Sequence, residues 1–200
     1  MFDSGMSAKD FISRLKEEVD VALPISDDSY IGWLNSVEQF IYGSVIKEEG
    51  IYKDESAEDI PLPINIDGEN KVRIEDVVAV YGVNAYKRVQ LLYVTVANRR
   101  TWKDVYYSKG DKLCARPGFP YERVEIVYVR RPIEKTKENY SDCNVMIPIE
   151  FTELIASKLR GEAYKLANED SIASKWLNDY NALLQDFTAW YNVRRAQVGV

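Results

Sequence analysis

Apolar residues recur at helical spacing toward both ends of the chain and at strand spacing in its middle. Phe11, Leu15 and Val19 stand four apart behind Ser7, which predicts a first helix with Ser7 as N-cap and Asp10 in its first turn. Pro24 stops that run. Tyr30, Leu34, Val37, Ile41 and Val45 follow behind Ser26, Asp27 and Asp28, and predict a second helix of about five turns, closed at Glu48-Glu49-Gly50. Past Pro148, Phe151, Ile155, Leu159, Ala163 and Leu166 share one helical face. After the joint Asn168-Glu169-Asp170, the strongest periodic signal in the chain carries Ala173, Trp176, Leu177, Tyr180, Leu183, Leu184, Phe187 and Trp190. Gly161 interrupts the third helix at a cost of about 1 kcal/mol relative to alanine, for which a close helix contact is the usual reason.

The middle obeys a different period. Residues 52–70, with Pro61 and Pro63 among acids, read as a linker or an edge segment. Val77, Val78, Val80 and Tyr81 predict a buried strand ended by Gly82 and Asn84, and Leu91–Val96 a second, although part of 86–97 also suits a helix. Asp104–Tyr107 and Lys112–Ala115 flank a turn at Ser108-Lys109-Gly110-Asp111, as a hairpin would. Val124, Ile126 and Tyr128 alternate with polar neighbours until Arg131-Pro132.

A joint as short as 168–170 makes the two C-terminal helices antiparallel neighbours, and neither can bury its stripe alone. The expected fold is therefore α+β: a four-helix bundle formed by both chain ends with an inserted small antiparallel β module. Its parts are an N-terminal helical pair over 1–50, the β module with linkers over 51–144, a helical hairpin over 145–191, and a flexible tail or docking arm over 192–200.

Charge adds to that division. The 200 residues carry a net charge of −6, unevenly spread. Residues 1–70 hold 16 acids and 5 bases, 71–137 hold 7 acids and 15 bases, and 138–200 hold 9 acids and 6 bases. A basic centre lies between acidic ends, which suggests a different environment for the middle. No apolar run is long enough to cross a bilayer, the start MFDSGMSAKD predicts no signal peptide, and no membrane partner is expected. Cys114 and Cys143 make no metal or disulfide framework and are expected to stay reduced.

Histidine is absent, which removes the commonest general base and metal ligand and with them every Ser-His-Asp, Cys-His or His-containing zinc site. Gly82 and Gly110 stand alone, without a phosphate loop. Asp27-Asp28 is explained by helix capping and Glu48-Glu49 by a solvated helix end, ahead of a carboxylate-and-metal hydrolase. No catalytic residue, metal or cofactor is expected. Basic and aromatic residues interleave at Tyr86-Lys87-Arg88 and at Arg99-Arg100-Thr101-Trp102-Lys103. Exposed strand faces account for such residues, while contact with DNA or with an acidic protein surface is the sharper reading. Lys87, Arg88, Arg99, Arg100, Trp102 and Lys103 are thus candidates for a basic interaction surface.

Four stretches carry a family resemblance: Ile25–Asn35 (ISDDSYIGWLN), Tyr128–Pro132 (YVRRP), Ile147–Phe151 (IPIEF), and the hairpin from Glu162-Ala163-Tyr164 to Tyr180-Asn181. Together they resemble tailed-bacteriophage head-to-tail connector (adaptor, head completion) proteins, the longer adaptors more than the minimal helical ones. The resemblance implies a structural virion protein that is not an enzyme and needs no cofactor. Such a protein is made in the host cytoplasm and forms a homo-oligomeric ring, commonly of twelve subunits. The ring joins the capsid portal protein to tail or neck proteins and extends a channel through which DNA passes without sequence-specific binding. Trp190, Tyr191, Val193, Arg194 and Arg195 then become portal-docking candidates on an arm that orders against its neighbour. The alternatives are a nucleic-acid-binding module using the basic β insertion, or another phage neck-ring component.

Overall fold

The computed structural model describes residues 2–22, 24–55, 59–66 and 70–198. They form two compact units, one from residues 1–46 with 132–200 and one from 47–131.

The first unit is helical. Helices α1 (Ala8–Glu18) and α2 (Asp27–Ile41) begin where the caps predict: Ser7 Oγ accepts from the Asp10 N–H and Ser26 Oγ from the Ser29 N–H. A single π-turn, Tyr42–Ile46, ends α2 and brings the chain to Lys47, whose φ is 47°. A short 3-10 turn, Ile149–Phe151, leads into α3 (Thr152–Leu166), and α4 runs unbroken from Asp170 to Val198. Residues 192–198, read from sequence as a tail or arm, are thus the last turns of a 29-residue helix; residues 199 and 200 lie outside the described residues. One core joins Phe11, Ile12 and Leu15 of α1, Leu34 and Ile41 of α2, Ile155 and Leu159 of α3, and Phe187 of α4.

Helices α3 and α4 touch where Gly161 lies. A Cβ there would sit 2.7 Å from Leu177 Cδ2 and 3.5 Å from the Ala173 carbonyl oxygen. Gly161→Ala should therefore lower the unfolding midpoint, since overpacking costs about 1–3 kcal/mol and the helix-propensity gain returns no more than about 1 kcal/mol. An unchanged or raised midpoint in thermal denaturation would mean that Leu177 swings aside.

Residues 132–147 have little regular structure and are strapped onto this unit by hydrogen bonds. The Ser4 N–H donates to the Val145 carbonyl (3.0 Å), Val145 N–H to Met6 (2.9 Å) and Ala8 N–H to Cys143 (2.8 Å). Asn35 both donates to the Lys135 carbonyl (2.8 Å) and accepts its N–H (2.9 Å). The Tyr140 hydroxyl donates to Asp27 at 3.1 Å.

The second unit is β. Its strands are β1 (Glu49–Asp54), β2 (Ile60–Pro61), β3 (Ile64–Ile66), β4 (Asn70–Val72), β5 (Val77–Val83), β6 (Arg88–Tyr93), β7 (Val105–Lys109), β8 (Lys112–Arg116) and β9 (Arg123–Val129). Seven of them form a sheet in the order β1-β9-β5-β6-β7-β8-β2, while β3 and β4 pair separately. Val80, Leu91, Leu113, Val124 and Ile126 fill the inner side, with Ile60, Ile64 and Val72. The β7–β8 hairpin turns at Gly110, whose φ of +60° suits a residue without a side chain.

This sheet corrects the expected fold. The protein is mixed α/β, with four helices and a nearly closed, barrel-like seven-stranded sheet, and not a four-helix bundle with a small antiparallel β insert. Two causes are physical. The acidic, proline-containing stretch that begins at Glu49 supplies both sheet edges, β1 and β2, where alternation is short and charge is high. In addition, β6 and β7 pair in parallel, Leu92 beside Val105, through the crossover 94–104, which local periodicity cannot reveal.

Candidate functional site

The basic candidates gather at neighbouring loops of the β unit. Asn84 builds the β5–β6 turn: its Oδ1 accepts from the Tyr86 and Lys87 N–H groups (3.0 Å each), and its Nδ2 donates to the Pro120 carbonyl at 2.7 Å. The Lys87 ammonium then stands 3.7 Å from the centre of the Phe119 ring. One residue away in that loop, Gly118 lies against Lys103, whose Cβ would be 3.1 Å from an added glycine Cβ, and its N–H donates to Asp104 at 2.7 Å. The loop 117–121 therefore links Lys87 to Lys103, two clusters that are sixteen residues apart in sequence.

Most of these cations are already engaged within the unit. The Arg88 guanidinium stacks 3.4 Å over Tyr81 and donates to Glu125 at 2.9 Å, while Arg123 donates to the other Glu125 oxygen at 3.0 Å. Burial alone would push the Glu125 carboxyl up, but the hydrogen bonds and charges of Arg88 and Arg123 outweigh it and hold the carboxyl below its ordinary range. Arg99 donates to the Val96 carbonyl across a 3-10 turn. Arg100, Trp102 and Lys103 are exposed, as is Tyr86. The unit as a whole is close to neutral: residues 47–131 hold 15 bases and 14 acids, because the acidic 47–70 segment belongs to it. The basic centre read from sequence is a local surface, not a strongly charged module.

The docking candidates lie in the helical unit and divide in two. Trp190 and Tyr191 pack inward. Trp190 meets Phe151 at 5.0 Å and Phe2 at 5.8 Å between ring centres. Tyr191 stacks near Phe187 and donates its hydroxyl to the Ile46 carbonyl at 2.7 Å. Arg194 lies over Phe2 and Trp190, at 5.6 and 5.3 Å. Val193 and Arg195 face outward, Val193 being 59% exposed.

Two charged groups inside the helical unit escaped the sequence reading. Glu38 of α2 and Lys135 of the strap are fully buried and bonded at 2.5 Å, with the second Glu38 oxygen accepting from the Met146 N–H at 2.8 Å. Burial pushes the Glu38 carboxyl up, against the pull of Lys135 and of the Met146 N–H. The available signal was positional: Glu38 follows Val37 and precedes Ile41 on the apolar stripe. Arg160 of α3 is the other, paired with both Glu18 and Glu153 and stacked 4.6 Å from Trp176. Its hydrogen bond, opposed by burial and helped by Arg14, holds Glu18 below its ordinary range. Both clusters satisfy their own charges and tie segments distant in sequence.

Among the described residues, no group of three or more Cys, Asp or Glu side chains could hold a metal ion. No helix of the described residues is long and apolar enough to cross a membrane. No family model matches the chain. A search of curated proteins returns no match either.

Proposed function

We propose that the protein is a structural ring adaptor of a tailed-phage virion, joining the capsid portal to the tail or neck and extending the DNA channel. One observation carries the reading. Three of the stretches with the family's pattern fall in the helical unit at its construction points: Ile25–Asn35 caps and opens α2, Ile147–Phe151 turns the strap into α3, and Glu162–Asn181 is the α3–α4 hairpin. The role is mechanical rather than catalytic. Copies pack side by side through a heterologous contact that closes by rotation. Docking on the portal falls to the last turns of α4, through Val193, Arg194 and Arg195, since Trp190 and Tyr191 are committed to the core.

The test is assembly. Sedimentation and negative-stain images of the protein, alone and with the portal of its own virion, are expected to show closed rings, formed freely or on the portal. A monomer that ignores the portal would overturn the proposal. A monomer that binds duplex DNA with steep salt dependence would instead favour a nucleic-acid module built on the exposed Arg100, Trp102 and Lys103.

A further inference from the structure

Strand β1 is an edge of the seven-stranded sheet and pairs only with β9 among the described strands. Its phase is fixed by the Arg130 N–H, which donates to the Glu48 carbonyl at 2.8 Å. With Glu48 opposite Arg130, the antiparallel ladder turns the backbone groups of Gly50, Tyr52 and Asp54 toward β9. The N–H and C=O groups of Glu49, Ile51 and Lys53 consequently point outward, where no described residue meets them. Their side chains are the exposed ones of the strand, and Ile51 is 56% exposed. An open edge with an apolar centre is a template for another strand.

We infer that this edge pairs with itself: two copies of the chain join antiparallel along Glu49–Lys53, with Ile51 opposite Ile51 and each Glu49 opposite the other copy's Lys53. Backbone phase and charge select this register independently. Only pairings of odd with odd residues bring outward groups of both copies together. Within that set, sliding the alignment two residues either way breaks both Glu49–Lys53 pairs and sets Ile51 against a charged residue, Glu49 or Lys53. Both neighbouring registers thus lose the opposite-charge pairs and the apolar centre, which weakens pairing. On the other face of the strand this register sets Glu48 opposite the other copy's Asp54; Arg130 at 3.5 Å offsets the Glu48 charge, and the Tyr52 hydroxyl donates to Asp54 at 3.1 Å. A contact this short makes a weak, concentration-dependent dimer. It is two-fold and independent of the head-to-tail ring contact proposed above.

The experiment uses the full chain. Sedimentation velocity across the micromolar range is expected to show a monomer–dimer equilibrium. K53E or E49K alone should weaken it by roughly tenfold or more, because both cross-strand pairs turn repulsive, and the double swap E49K/K53E should restore it. Under mild oxidation the I51C chain should form a covalent dimer and the K53C chain should not, with wild type as the control for Cys114 and Cys143. A wild type that stays monomeric, single swaps without effect, or an I51C chain that does not link would each overturn the inference. Rings that survive both single swaps while the I51C chain fails to link would sink the self-pairing and leave the adaptor reading standing. Linked I51C dimers that build no ring with or without a portal would do the reverse.

Discussion

Lys135→Met is expected to destabilise the helical unit by about 3–5 kcal/mol, the usual cost of leaving one partner of a buried ion pair alone. Any charge on Glu38 would then sit in a fully buried place with only the Met146 N–H to answer it. The loss should depend on pH in a defined direction. Burial raises the folded-state pKa of Glu38 above its ordinary 4.5, so the folded form holds the proton more tightly than the unfolded form. The penalty is therefore absent below the unfolded value and grows as pH rises through the folded one. Denaturant titrations of the variant at several pH values, each against wild type, measure it. Pairing the change with Glu38→Met should recover much of the stability, because the desolvation cost disappears with both charges. Recovery stays incomplete while the Met146 N–H lacks an acceptor. A single variant as stable as wild type at neutral pH would show that the strap lifts and lets water reach Glu38.

Phe187→Ala is expected to cost about 3–5 kcal/mol in the same measurement. Phe187 is fully buried and sits among Phe151 at 5.0 Å, Trp190 at 5.8 Å and Tyr191 at 6.3 Å between ring centres. Trp190 and Tyr191 in turn contact Phe2, so the cavity would loosen the N-terminal segment as well as α4. Near-ultraviolet circular dichroism should lose intensity at temperatures where the far-ultraviolet signal remains. A loss below about 1 kcal/mol would mean that the neighbouring rings collapse into the space and that the cluster is not a rigid core.

These two sites differ in how far the sequence announces them. Phe187 belongs to a stripe whose period alone places it inside, just as Ser7 and Ser26 announce their helices and Gly161 its close contact. Lys135 is invisible by such means. It lies among charged and polar neighbours, and its burial depends on Glu38, ninety-seven residues away. The β unit shows the same split. The β7–β8 hairpin is local and carries its own turn residues, whereas β1 becomes a strand only because β9 lies beside it. Of the candidate surface, the residue types were legible but their engagement was not. Nothing in the order Lys87-Arg88 says that one would lie over Phe119 and the other be held by Glu125.

The pairing of β1 with β9 carries a consequence for how such a protein can change over generations. The chain leaves the helical unit at residue 46 and returns to it at 132, and these two crossings are joined to adjacent strands, Glu49 standing opposite Val129. A segment whose ends already lie side by side is a cassette. It can be lengthened, exchanged or removed while the helices keep the same gap to span, since a short turn closes two antiparallel strands as well as eighty residues do. The helical unit can thus keep its packing while the β unit is free to diverge in length and surface.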